Sequence, residues 1–80
     1  MSYDDVVKCH GGIIREIRVS PSGGATIKMK NGISAYAFTP EEADIIITEQ
    51  EIEWYKSRGN VLGLRQVRAH YARITKCKNN

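Results

Sequence analysis

Cys9, His10, His70 and Cys77 are the side chains of this sequence with the chemistry to hold a transition metal. Structural zinc sites draw on close pairs such as C-x2-C or H-x3-5-H, which place two ligands on one turn. Here Cys9 and His10 are adjacent and diverge in regular structure, while His70 and Cys77 lie seven residues apart. The spacing predicts no metal site, only two partly buried thiols and two surface imidazoles. Nucleophilic catalysis needs a Cys or Ser beside an oriented base, and Cys9-His10 offers no third partner. Glu41, Glu42, Glu49, Glu51 and Glu53 fall where a helix would expose them, which suits solvation and dipole compensation better than acid-base work. The glycines of "SPSGGA" lack the Lys-Ser/Thr of a phosphate loop and read as a turn. No acid, base and nucleophile converge, so the chain is expected to be non-catalytic and to need no cofactor.

Binding chemistry is better represented. The stretch "NVLGLRQVRAHYARITKCK", residues 60–78, carries Arg65, Arg68, Arg73, Lys76 and Lys78 and no acidic residue. Leu64, Val67, Tyr71 and Ile74 follow i, i+3, i+7, i+10 spacing, which makes one apolar stripe. At about 100° per residue, Arg65, Ala69, Arg73 and Lys76 fall on the opposite side, with Arg68 on the flank. A helix over 60–76 with a core face and a basic face is predicted. Arg65, Arg68, Arg73 and Lys76 are its candidate partner contacts, joined by Arg18, Lys28 and Lys30 from the outer face of a sheet.

That sheet follows from alternation. In "TIKMK-NG-ISAYAF" Asn31-Gly32 separates two alternating runs, and Asn-Gly supplies the positive-φ residues of a type I′ hairpin. A two-residue turn sets Lys30 opposite Ile33, Met29 opposite Ser34, Ile27 opposite Tyr36 and Ala25 opposite Phe38. The core face is then Ala25, Ile27, Met29, Tyr36 and Phe38. The outer face is Thr26, Lys28, Lys30, Ile33, Ala35 and Ala37. "GIIREIRVS" alternates too, with Ile13, Ile17 and Val19 on one side and Ile14, Glu16 and Arg18 on the other. "PSGG" turns this strand into the next.

"FTPEEAD" is a helix start: Thr39 caps, Pro40 fits the first position, and Glu42 completes a capping box. Ile45 to Ile47 are poor helix formers, and Thr48 with Glu51 offers a second box, so one helix to about residue 57 and two kinked pieces both fit. Gly59 is a stop and Asn60 a cap. Ser2 to Asp5 caps a short helix, or Tyr3 to Cys9 forms an edge strand.

The expected fold is α+β: a three-stranded antiparallel β-meander (12–38), packed on one face by two helices, an acidic segment (39–58) and a basic amphipathic helix (60–76). All 80 residues form a single domain. A small β-barrel with a C-terminal helix is the alternative, in which Ile45 to Ile47 are a strand. A chain this short has a thin core and little material to enclose an active site. Net charge is +3 but unevenly spread: residues 39–60 hold two basic and six acidic residues, and 61–80 hold five basic and none acidic. Two neighbouring helices that attract each other explain this, as do two faces offered to a partner.

The opening "MSYDDVVKCHGG" has neither a basic n-region nor a long apolar stretch, and no window approaches the roughly 18 apolar residues of a membrane span. A cytoplasmic protein with reduced thiols and no membrane contact is expected, as a monomer or weak homodimer. Its partner would be a larger protein or nucleoprotein complex, or DNA or RNA phosphates. A small meander, capped helices, segregated charge and no catalytic set resemble, in general design, the small proteins that phages and mobile elements encode to block host machinery, anti-CRISPR inhibitors among them. The resemblance implies stoichiometric association.

Overall fold

The computed structural model describes residues 1–78, without the side chains of 77 and 78, so Cys77 and the charge of Lys78 lie outside the described residues. Its elements run α1 (Tyr3–His10), β1 (Ile14–Val19), β2 (Ala25–Met29), β3 (Ser34–Ala37), α2 (Pro40–Arg58) and α3 (Val61–Lys78). The strands form one open antiparallel sheet in the order β1-β2-β3. The α+β class holds, and helical Ile45 to Ile47 remove the closed-barrel alternative.

The N-terminal ambiguity resolves as a helix. The Ser2 hydroxyl accepts from the Asp5 N–H and the Asp5 carboxylate accepts from the Ser2 N–H, a reciprocal box that satisfies two end donors. α1 then buries Val6 against the sheet.

Two sheet details depart from simple alternation. In β1, Ile14 faces Met29 but Glu16 faces Lys28, so Arg15 is the extra residue of a β-bulge. The bulge returns Ile14 to the inner face, where it is buried, rather than leaving it outside with Glu16 and Arg18. The β2–β3 turn is not type I′, because no non-glycine residue has positive φ and Gly32 alone adopts it, at 91°. Gly32 N–H donates to Met29 O and Met29 N–H to Ile33 O, which closes a three-residue loop, Lys30-Asn31-Gly32.

One added loop residue slips the register by one. Ala25 now faces Ala37, Thr26 faces Tyr36, Ile27 faces Ala35 and Lys28 faces Ser34. Side chains alternate with period 2, so the slip exchanges the faces of β3. Ala35 and Ala37 turn inward, while Tyr36 and Phe38 stand outside, 43% and 70% exposed, instead of in the core. The ring of Tyr36 covers Gly24, where a Cβ would lie 2.1 Å from the Tyr36 hydroxyl oxygen.

α2 runs unbroken through the isoleucines. Thr39 Oγ1 accepts from Glu42 N–H, and Thr48 spends its hydroxyl on the Asp44 carbonyl one turn back instead of capping a second piece. Ala43 and Ile47 of α2 close the core over Ile27, Met29 and Ala37. Burial of a side chain such as Ile47 contributes about 2–3 kcal/mol. Gly59 ends the helix in the left-handed region, with its N–H bonded to Lys56 O and that of Asn60 to Tyr55 O. Asn60 then caps α3 through Gly63 N–H.

α3 packs along α2 on its half-buried residues Leu64, Val67, Tyr71 and Ile74, the predicted stripe. Gly63 allows the approach: a Cβ there would lie 2.6 Å from Tyr55 Cε1. No helix among the described residues is long and apolar enough to cross a membrane.

Candidate functional site

The predicted contact residues occupy three places. Arg65, Arg68, Arg73 and Lys76 are exposed along α3, and among the described residues none of them forms an ion pair. The acidic α2 beside them reaches α3 by other means, since Tyr71 Oη donates to Glu49 Oε2 at 3.1 Å and His70 Nε2 meets Asp44. Glu49 holds the Tyr71 hydroxyl above its ordinary pKa by accepting that bond and by its charge. Arg18 and Lys28 share the outer sheet face and both engage Glu16, at 3.1 and 3.8 Å. Lys30 sits in the hairpin loop instead of on a strand, because the loop has three residues.

Beside Arg18 and Lys28, Tyr36 and Phe38 form an edge-to-face pair with centroids 5.2 Å apart. The outer sheet face therefore carries two exposed rings as well as two cations.

A second cluster lies inside the molecule. His10, at the end of α1, is 3% exposed rather than on the surface. Its Nδ1 is 2.5 Å from Glu51 Oε1 and its Nε2 is 2.6 Å from Asp44 Oδ1. His70 of α3 approaches from the other side, with Nε2 3.1 Å from both Asp44 carboxylate oxygens. The two imidazoles pack edge to face at 5.9 Å. Thr48 sits between Asp44 and Glu51 on α2 and lies 3.4 Å from Asp44 Oδ1. One nitrogen or oxygen from each of His10, Asp44 and His70 falls within 4.8 Å of the others, a set with metal-ligand chemistry.

The electrostatics are coupled. Burial opposes charge on His10, but hydrogen bonds to Glu51 and Asp44 outweigh it and raise its pKa above that of a free imidazole. Burial likewise disfavours the Asp44 carboxylate, yet its bonds from His10 and His70 hold its pKa below the usual range. No buried side-chain nitrogen or oxygen among the described residues lacks a partner.

Spacing rules missed this cluster because its members come from three helices. Glu51, expected at the surface, is 8% exposed, and Cys9, expected to be partly buried, is exposed. One signal was present: Asp44, Thr48 and Glu51 follow i, i+4, i+7 spacing, which sets three polar residues on a single helix face among isoleucines. No family model, curated protein or solved structure matches this chain.

Proposed function

We propose that this is a non-catalytic binding protein that associates stoichiometrically with an acidic surface of a larger protein or nucleoprotein complex through α3. The carrying observation is that Arg65, Arg68, Arg73 and Lys76 are exposed and have no ion-pair partner among the described residues, although an acidic helix lies alongside. Arg65 with Arg68 and Arg73 with Lys76 are like-charge pairs at i, i+3, each costing the helix a few tenths of a kcal/mol. A negatively charged partner offsets that cost and is steered toward the face. The exposed thiol of Cys9 suits a reducing compartment such as the cytoplasm. Inhibition of host defence by a mobile element, of the anti-CRISPR type, is one setting for such association.

The test is co-purification from host lysate with wild-type protein and with Arg65→Glu/Arg73→Glu. A stoichiometric partner held by the wild type and lost from the charge-reversed variant supports the reading; a partner retained equally by both removes α3 from it.

A second reading, direct nucleic-acid binding, is favoured by the exposure of Tyr36 and Phe38. Aromatic rings beside Arg18 and Lys28 suit base stacking on a sheet face with phosphates nearby. A mobility shift with mixed-sequence DNA and RNA at low and physiological salt separates the two. Salt-sensitive binding that falls about tenfold or more in Tyr36→Ala/Phe38→Ala supports nucleic acid, and no shift at low salt excludes it.

A further inference from the structure

The structure assigns to His10, Asp44 and His70 a binding site for one borderline divalent metal ion of the zinc class, a site that ties α1, α2 and α3 together. The inference stands independently of the charged face.

Ligand chemistry comes first. Two imidazole nitrogens and one carboxylate oxygen suit zinc, cobalt or nickel, whereas magnesium and calcium prefer sets made of oxygen alone. Three protein ligands leave a fourth position, as open zinc sites do. A groove of about 420 Å³, lined by Met1, Glu41, Ile45 and Ile74 among others, reaches Asp44 from the surface.

Orientation is the second argument. Metal-bound histidines almost always give their other ring nitrogen to a carboxylate or carbonyl, which fixes the tautomer and makes the ligand more basic. Glu51 does this for His10: its Oε1 accepts from Nδ1 and turns Nε2 toward Asp44 and His70. Glu51 lies two helical turns from Asp44, so α2 sets both the ligand and its orienting carboxylate from one rigid face.

The third argument is charge. Asp44 and Glu51 bring two carboxylates into a buried region, and a divalent ion with two neutral imidazoles balances them, the ion replacing the proton between His10 Nε2 and Asp44, which leaves to solvent. At Asp44 the adjustment required is small, and the ligand nitrogens of the two histidines already lie within 4.8 Å of each other. Bonds of about 2.0–2.1 Å in tetrahedral geometry place ligand atoms about 3.3 Å apart. The His70–Asp44 distance of 3.1 Å nearly meets this, and His10 and Asp44, at 2.6 Å, need to part by well under 1 Å.

The experiment starts from protein dialysed against chelator. Titration calorimetry with zinc should show one equivalent bound, and the thermal midpoint should rise with zinc but not with magnesium. His70→Ala, at a half-buried position, should keep its helical circular dichroism and bind zinc at least tenfold more weakly. Asp44→Asn, nearly isosteric, should do the same. Because Cys9 is a competing ligand, cobalt is bound to the wild type as well. Tetrahedral visible bands without a thiolate charge-transfer band support the site. Absence of zinc binding, unchanged affinity in both variants, or a thiolate band would overturn it.

Discussion

His10 is held by a carboxylate at each ring nitrogen, and the whole arrangement depends on Glu51 being turned inward. Glu51→Ala would strip the hydrogen-bonding partner from Nδ1 inside the core. Breaking a buried pair from one side costs about 3–5 kcal/mol, because the remaining group stays buried and unpaired. We expect a loss near the lower end of that range by urea denaturation in chelator. Glu53→Ala, two residues on and about 200° round α2 on its exposed side, should change stability by no more than about 0.5 kcal/mol. Equal effects at the two positions would mean that the inward bond contributes little. The sequence shows five similar glutamates along α2, and beyond the spacing that sets Glu51 on one face with Asp44 and Thr48, only the position of α1 distinguishes it from its neighbours.

α3 passes closely over Tyr55 of α2 at Gly63. In an open helix, Gly63→Ala would stabilise by about 1 kcal/mol through propensity alone. Here the new Cβ meets ring carbons at 2.6 and 2.7 Å, and overpacking of that kind typically costs about 1–3 kcal/mol. The clash should win, giving a lower urea midpoint. The sign should reverse in a Tyr55→Ala background, where the ring is gone and propensity remains. A double-mutant cycle reads this directly, and additive effects would place the ring away from Gly63. The cap at Asn60, the stop at Gly59 and the stripe on α3 were all legible in the sequence, because each is a local chemical signal. The contact between Gly63 and Tyr55 was not, since residues eight apart meet only after the chain reverses.

At the scale of the molecule, no arginine or lysine of α3 pairs with the acidic α2 among the described residues, and the two helices meet instead through His70–Asp44 and Tyr71–Glu49. Arg65→Glu/Arg73→Glu should therefore leave the urea midpoint within about 0.5 kcal/mol of wild type at physiological salt. A loss above about 1.5 kcal/mol would make the charge intramolecular and remove it as a docking face. Screening over about 8–10 Å at that ionic strength already weakens longer-range attraction between the helices.

Composition, alternation and caps determined the three strands and their order, the start of α2 and the basic stripe on α3, because these depend on neighbours within a few residues, while residues 3–10 and the run through Ile45–Ile47 fitted more than one element. Tertiary structure decided the rest. A three-residue loop in place of two slipped β3 by one position and exchanged its faces, sending Tyr36 and Phe38 outward. A bulge at Arg15 kept Ile14 inside. His10, Asp44 and His70, spread over sixty residues of chain, converge only because three helices pack together. Turn geometry and helix packing act at distances that periodicity along a single strand of text does not encode.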